Sequence, residues 1–328
     1  MSATSVALTI LGLDVGGTKT VVVEGTAQAA ILQRYEIATE AARPFAETFP
    51  RLRDLLAAVI AQAVAQGRQI AALSVSIGGP LRIASGELLD PPHLPGWHGV
   101  ALKAQLQAAF PALPVFVEHD GNAGALAEFH FGVGRNFVGL RHMIFLTFGT
   151  GLGAGLIVNG QLLRGASDTA GEVGHLRLAW EGPVGFGKAG SWEGFASGRG
   201  LVELARLRFL PRWHAATPIR ELVAAMLADD EQALAIAAEA GQWMGRGMAL
   251  LVDTLNPQLI VLGSLGVVLG ERILGPARRA LAAEALPQAV AACAIVPAAL
   301  GKGIGDVAAL MAALSDDAIS RALRVAAQ

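Results

Sequence analysis

Two glycine-rich turns, each joining one apolar segment to another, constrain the fold of this chain most. The first, Asp-Val-Gly-Gly-Thr at residues 14–18, separates an apolar run at 7–13 from a β-branched run at 20–23. The second, at 149–153, separates similar runs at 143–148 and 154–158. β-Branched and apolar runs of this length are typical of strands. A strand-turn-strand unit that occurs twice predicts a chain with two related halves.

The segments between and after these turns alternate between strand and helix patterns. Further strands are predicted at 70–77, 115–118, 259–262 and 294–296, and an Asn-Gly hairpin turn at 159–160. Helices are predicted at 45–66, 100–109, 122–131, 271–285 and 304–314, with Pro276 near the start of its helix. The loop 88–99 and the glycine-rich stretch 165–200 look irregular, and 201–252 looks mostly helical. This alternation predicts an α/β fold, and 328 residues favour two domains over one.

Charge and cysteine content exclude several classes of function. A formal net charge of -2 gives no electrostatic signature of a protein that binds nucleic acid or an anionic membrane surface. No apolar run is long and uninterrupted enough to span a bilayer, and residues 1–11 do not resemble a signal peptide, so a cytoplasmic location is expected. The single cysteine, Cys293, excludes an intrachain disulfide and a cysteine zinc cluster, and is expected to be a small buried apolar residue.

The glycine-rich turns fit phosphate better than a dinucleotide. A dinucleotide fingerprint needs a helix after its glycines, but a hairpin follows residue 153, which argues against a dehydrogenase; no Walker-A sequence is present either. Glycine backbones can nevertheless approach an anion closely, and the Thr18 and Thr150 hydroxyls add donors. Asp14 could hold Mg²⁺ through water. The alternatives are ordinary connecting turns and a turn-initiating aspartate.

Three motifs in order resemble the ROK family of sugar kinases and repressors, within the actin-like ATPase superfamily. They are DVGGTK at 14–19, TGLGAG at 150–155 and AGEVGH at 170–175, and the likeness extends over about residues 11–314. The resemblance implies a two-lobed, ribonuclease H-like fold with a central cleft. It implies a small lobe at 1–121, closed by a C-terminal helix at 305–328, and a large lobe at 122–304.

The resemblance also implies roles for individual residues. Asp120 would be the general base, although an aspartate there would also suit the helix N-cap. Sugar ligands would be Gly79, His119, Glu172, His175 and Glu193. ATP and its phosphates would contact Gly16, Gly17, Thr18, Lys19, Thr150, Gly151 and Gly263. Simpler explanations are solvated loop carboxylates for the glutamates, a core position for the histidine at 175 and a strand-ending turn for the glycine at 79.

Some positions depart from the family pattern. Family members typically carry three zinc-binding cysteines where this chain has Val184, Phe186 and Ser191, so zinc is not expected. Packing of Trp192 with the valine and phenylalanine is expected to hold this loop instead. His119 stands where the family usually has asparagine, and Ser264 replaces a usual glycine.

The sequence therefore predicts ATP- and Mg²⁺-dependent phosphorylation of a sugar hydroxyl, on a hexose or an N-acetylhexosamine, by a glucokinase-like homodimer. A sugar-responsive repressor is the first alternative. Such repressors carry a DNA-reading module before the core, and a core strand that begins by Ala7 is expected to leave no room for one. A non-catalytic sugar-responsive regulator of the same fold is the second. Such a regulator is expected to lose the base or the phosphate turns, and Asp120 and both turns are present.

Overall fold

The computed structural model describes residues 7–326 and has an α/β architecture. Its strands are β1 (Ala7–Val15), β2 (Lys19–Gly25), β3 (Ile31–Ala38), β4 (Arg68–Ile77), β5 (Leu81–Arg82), β6 (Glu87–Leu88), β7 (Val115–His119), β8 (Met143–Phe148), β9 (Leu152–Val158), β10 (Gln161–Leu162), β11 (Val184–Gly185), β12 (Lys188–Ala189), β13 (Leu259–Leu262) and β14 (Ala294–Pro297). Its helices are α1 (Phe45–Ala65), α2 (Leu102–Ala109), α3 (Asp120–His130), α4 (Trp192–Phe195), α5 (Gly198–Phe209), α6 (Ile219–Leu227), α7 (Glu231–Leu255), α8 (Leu265–Leu269), α9 (Glu271–Glu284), α10 (Pro287–Ala292), α11 (Ile304–Leu314) and α12 (Asp317–Ala326).

The described residues form two compact units. The first contains residues 7–127, 165–169 and 302–326, and the second contains 128–164 and 170–301. Each unit has a five-stranded sheet, in the order β3-β2-β1-β4-β7 in the first and β10-β9-β8-β13-β14 in the second. In both sheets the first three strands are antiparallel and the last two add in parallel. The repeated strand-turn-strand unit of the sequence thus corresponds to β1-β2 and β8-β9.

In the first unit, the sheet packs against α1 and α11. Apolar side chains of β1 and β4, such as Leu13 and Leu73, are fully buried there with Leu56 of α1. On α11, Leu310 lies so close to β1 that a Cβ at Gly12 would come within 2.9 Å of it. The Ala313 N–H at the end of the same helix donates to Ser74 Oγ at 3.1 Å. The C-terminal segment is therefore an integral part of this unit.

In the second unit, the sheet carries its own core. Leu146 and Leu262 on neighbouring parallel strands are fully buried against α5 and α7, together with Met244 and Met248. The fully buried Trp192 of α4 lies against Gly247 of α7, where no side chain could be accommodated. This packing fixes the short helix α4, which carries Glu193.

The structure confirms the predicted strands and the long helices, and corrects several details. Asp14 lies inside β1 rather than in the turn, and Pro276 lies inside α9 rather than near its start. The expected single helix at 305–328 is two helices, α11 and α12, over its described part. The sequence patterns did not predict β3, α8 and α10, and residues 192–195 and 198–200 are helical within a stretch expected to be irregular. Among residues 7–326, no helix combines the length and apolar character needed to cross a bilayer.

Candidate active site

The first glycine turn lies between β1 and β2 and is held by backbone hydrogen bonds. The Gly16 N–H donates to the Lys19 carbonyl at 3.0 Å, and the Thr39 hydroxyl donates to the Gly16 carbonyl at 2.6 Å. A Cβ at Gly17 would come within 2.8 Å of the His93 carbonyl, so only glycine fits there without a shift. Lys19 begins β2 and forms an exposed ion pair with Glu36 at 3.1 Å. The turn thus presents backbone and the exposed Thr18 to its surroundings.

Asp14 precedes this turn, at the carboxyl end of β1. Ser76, opposite it on the parallel strand β4, donates its hydroxyl to Asp14 Oδ1 at 3.1 Å. Gly305, at the start of α11, approaches the other oxygen so closely that a Cβ would lie 2.8 Å from it. Burial, with the neighbouring carboxylates of Asp120 and Asp306, raises the pKa of Asp14 from 3.8 to about 7. A carboxyl under this electrostatic stress is stabilised in its ionised form by a nearby cation.

The chemistry around Asp14 fits magnesium held partly by water and phosphate. Mg²⁺ prefers one or two carboxylates and otherwise keeps water or phosphate oxygens. No cluster of three or more histidine, cysteine, aspartate or glutamate side chains suited to holding a metal occurs within residues 7–326. A magnesium ion bound here would therefore take Asp14 as a carboxylate ligand and complete its shell with water or phosphate oxygens.

Asp120 is the first residue of α3, directly after β7. Its side chain is 50% exposed, and its Oδ1 accepts from the N–H of the adjacent Gly121 at 2.7 Å. An N-cap would bond an N–H two or three residues further on, so the carboxylate does not adopt the usual capping geometry. The buried Glu118 accepts from the Asn122 side chain at 2.9 Å, which fixes the strand-to-helix junction. Asp120 is therefore a half-exposed carboxylate on a rigid support.

His119 and Gly79 lie beside Asp120 in the first unit. His119 Nδ1 lies 3.3 Å from Asp120 Oδ1, and it accepts from the Gly121 N–H at 3.2 Å. A Cβ at Gly79 would lie 2.8 Å from His119 Cδ2, so the imidazole packs directly against the glycine backbone. Gly78 is also close to the aspartate, because a Cβ added at this glycine would lie 3.6 Å from Asp120 Oδ2. Two predicted sugar ligands and the predicted base thus form one cluster.

The second glycine turn, between β8 and β9, is anchored on helix α5. The Gly149 N–H donates to the Gly151 carbonyl at 3.0 Å. The first N–H groups of α5, from Gly198 and Arg199, donate to the carbonyls of Gly149 at 2.7 Å and Thr150 at 3.3 Å. Thr150 itself is exposed. This turn is therefore oriented with its carbonyls on the helix, which leaves the threonine at its tip accessible.

Gly263 and Ser264 follow strand β13 in the second unit. A Cβ at Gly263 would lie 2.7 Å from the Phe145 ring, which accounts for the glycine. Ser264 has a φ of 46°, a region that favours glycine, the residue usual in the family. A Cβ at Gly149 would lie 3.8 Å from the Ser264 hydroxyl, so β13 ends beside the second turn.

The three predicted sugar ligands of the second unit lie around this same turn. Glu193 Oε2 accepts from the Leu152 N–H at 2.9 Å, so one carboxylate oxygen supports the turn. A Cβ at Gly174, next to His175, would lie 3.3 Å from Cβ of Glu193. Glu172 immediately precedes the 3₁₀ turn Val173–His175. The structure brings these side chains to one region of the second unit, and their contact with sugar stays a prediction.

The loop at the family's cysteine positions is organised by Ser191 rather than by the expected packing. The buried Ser191 Oγ accepts from the Gly185 and Gly194 N–H groups at 3.1 and 3.2 Å and donates to the Gly185 carbonyl at 3.1 Å. Val184 is 64% exposed, so its expected packing role is wrong. Phe186 instead stacks on His175, with ring centroids 3.7 Å apart.

Ser76 and Asp306 belong to the site but were not identified from the sequence. Ser76 lies in a buried strand in which serines alternate with apolar residues, so the sequence does not distinguish it from Ser74. Asp306 lies in the first turn of α11, after the glycines at 301 and 303, and a carboxylate near a helix start that follows glycines is the one signal the sequence carries for it. Cys293 is only partly buried, and burial raises the pKa of its thiol to about 11.

A family model described as the ROK family matches residues 10–315. The chain belongs to the ROK family. It is 31% identical to a glucokinase from Streptomyces coelicolor over 288 residues, which cover 82% of this chain and 86% of that one. It is 32% identical to a xylose repressor from Caldicellulosiruptor bescii over 242 residues, which cover 70% of this chain and 59% of the repressor.

A solved structure confirms the fold. The ROK glucokinase from Streptomyces griseus in complex with glucose and AMPPNP superposes with a TM-score of 0.73 and 30% identity. The match covers 92% of this chain and 97% of that one. This ROK protein therefore has the actin-like ATPase fold, and its relatives include both sugar kinases and regulators.

Proposed function

We propose that this ROK protein transfers the γ-phosphoryl group of ATP to a hydroxyl of a hexose or N-acetylhexosamine. The observation that carries the proposal is the pair of carboxylates in the first unit. Asp120 is half-exposed at a rigid strand-to-helix junction, while Asp14 is held under electrostatic stress beside the first glycine turn. The similarity to glucokinases, one of which is solved with glucose and AMPPNP, supports sugar and ATP as substrates.

In this reaction Asp120 accepts the proton of the attacking hydroxyl as its oxygen bonds to the γ-phosphorus and ADP departs. His119 and Gly79, which pack against each other beside this carboxylate, bind and orient the sugar. Glu172, His175 and Glu193 would bind further hydroxyls, since carboxylate oxygens and imidazole nitrogens each orient one. Positioning of this kind supplies much of the acceleration in phosphoryl transfer.

Both glycine turns are proposed to hold the nucleotide. Backbone N–H groups at Gly17 and Gly151, with the exposed hydroxyls of Thr18 and Thr150, would bind phosphate oxygens. The Gly16 N–H holds the first turn by donating to the Lys19 carbonyl, so Gly16 would serve by letting the phosphate approach the backbone closely. Lys19 contributes positive charge near the first turn, and Gly263, which follows β13, is proposed to contact the nucleotide with its backbone. Mg²⁺ held at Asp14 through water would neutralise charge on the phosphates.

A coupled ADP-release assay with Mg-ATP and a panel of sugars tests the proposal. Asp120→Asn should lower turnover on an accepted sugar by about 10²- to 10⁴-fold, because the amide cannot take the proton. Sugar affinity, measured by calorimetry, should change little. Asp54→Asn is the control, since Asp54 is 68% exposed on α1. Near-full turnover of Asp120→Asn would refute its role as base.

A sugar-responsive regulator is the second candidate, and the similarity to xylose repressors is what favours it. The same assay separates the two. A regulator would bind sugar in calorimetry without sugar-dependent ADP release. The predicted homodimer and cytoplasmic location stay predictions, and sedimentation analysis would test the first.

A further inference from the structure

The β11-β12 hairpin has its turn at Phe186 and Gly187, and the backbone conformation of this turn is unfavourable for a phenylalanine. Val184 pairs with Ala189 and Gly185 pairs with Lys188, so the turn has two residues. Their φ values are 52° and 67°, the positive values that define a type I′ turn. A bulky aromatic residue at positive φ is a genuine conformational outlier.

The same chain contains this turn with a favourable sequence. The β9-β10 hairpin turns at Asn159 and Gly160, with φ values of 54° and 78°. Asn-Gly is the preferred pair for a type I′ turn because asparagine tolerates the left-handed region. The strain at Phe186 is thus not required by the hairpin, which could form more easily with asparagine. Strained residues of this kind persist where the surrounding structure uses them, often at functional sites.

The contact that Phe186 makes is a stack on His175. The two ring centroids lie 3.7 Å apart at an interplanar angle of 24°. At the base of the hairpin, the buried Ser191 hydroxyl bonds both the N–H and the carbonyl of Gly185 at 3.1 Å. Lys188 Nζ donates to the His175 carbonyl at 2.7 Å. The hairpin is therefore fixed at its base and holds an aromatic plane against one face of the imidazole.

We infer that Phe186 is a positioning residue for sugar binding, which fixes the plane of the His175 imidazole. Stacking uses the ring face, so the ring edge stays able to bond a sugar hydroxyl. A ring already fixed in its bound orientation loses less freedom when the sugar binds. This role rests on the proposed function, since it takes His175 as a sugar ligand. It also gives a reason for an aromatic residue in a turn that favours asparagine.

Phe186→Asn distinguishes a role in positioning His175 from a role in folding. It should relieve the backbone strain of the turn while it removes the stack on His175. We expect the KM for sugar to rise about three- to tenfold, which is the factor that corresponds to the usual stacking energy of an aromatic pair. The KM for ATP should stay unchanged. The melting temperature should not fall. Phe186→Tyr keeps a stacking ring and should restore the KM. The reciprocal control, Asn159→Phe, should lower the melting temperature and leave the sugar KM unchanged.

The stack is also measured without activity. In protein labelled with ¹³C-histidine, the His175 ring resonance, assigned with His175→Gln, should be shifted upfield by the Phe186 ring and should move downfield in Phe186→Asn. With an active wild type, an unchanged sugar KM in Phe186→Asn would overturn the positioning role alone. A wild type that binds and phosphorylates no sugar would refute the proposed function and the sugar role together, even with the upfield shift present. Loss of stability with no change in KM would make Phe186 a packing residue.

Discussion

Asp14→Asn tests the electrostatic stress at the first glycine turn. The substitution keeps the shape of the side chain, and its amide oxygen can still accept from Ser76 Oγ, now 3.1 Å from Asp14 Oδ1. It removes the charge that burial and the carboxylates of Asp120 and Asp306 oppose. The variant should therefore be more stable than the wild type at neutral pH, while it loses the ligand proposed for Mg²⁺.

The magnitude follows from the pKa of Asp14, which is 3.8 ordinarily and about 7 in the folded chain. Between these values the folded chain keeps a proton that the unfolded chain releases, so wild-type stability falls as pH rises and the loss is complete above about pH 7. From pH 5 to pH 8 this loss is about 2.5 kcal/mol. Asparagine has no such proton, so the stability advantage of the variant should grow by that amount over the same range.

Urea unfolding of both proteins at pH 5 and pH 8, without Mg²⁺, measures the difference. Asp54→Asn is the control, because that side chain is 68% exposed and should give no pH-dependent gain. Adding Mg-ATP should stabilise the wild type by mass action and stabilise Asp14→Asn much less, with loss of sugar-dependent ADP release. A difference that stays constant with pH, or a variant less stable than the wild type at pH 8, would refute the reasoning.

Three further predictions concern the pair at Glu24, the backbone at Gly79 and the loop at Ser191. Burial opposes ionisation of Glu24, but hydrogen bonds led by Arg68 outweigh it and lower its pKa, so Arg68→Ala should cost about 3 kcal/mol in urea unfolding with kcat unchanged. Gly79→Ala should displace the His119 ring and raise the sugar KM about tenfold with the ATP KM unchanged, and an unaltered sugar KM would argue against this contact. Metal analysis after chelator dialysis should find no stoichiometric zinc, because the hydroxyl of Ser191 is a poor substitute for a thiolate; one zinc per chain would contradict this.

Local sequence signals were sufficient for the regular elements with strong periodicity. The apolar runs at β8 and β13 and the helical spacing in α1 and α11 each gave nearly the observed bounds. Short elements were harder, because β3 alternates exposed and half-buried residues and α8 has only five residues. Signals this short do not outweigh the loop patterns around them.

The motifs of the sequence determined the family and predicted the type of site. The glycines at 16, 17 and 151, and Asp120 at a strand-to-helix junction, are local features that any reader of the chain can find. These motifs, in this order along the chain, are specific enough to indicate a ROK protein from the sequence alone. The roles assigned to single sugar ligands come from that resemblance and stay predictions.

Only the tertiary structure decided how distant residues modify these motifs. Ser76 reaches Asp14 because β1 and β4 pair in parallel, and Asp306 joins them because α11 returns to the first sheet from the end of the chain. Likewise, the stack of Phe186 on His175 depends on a hairpin whose sequence alone argues against the observed turn. Sequence patterns report the preferences of neighbouring residues. Contacts between residues far apart in the chain depend on strand order and helix packing. Such contacts set the pKa of Asp14 and the orientation of the Phe186 ring against His175.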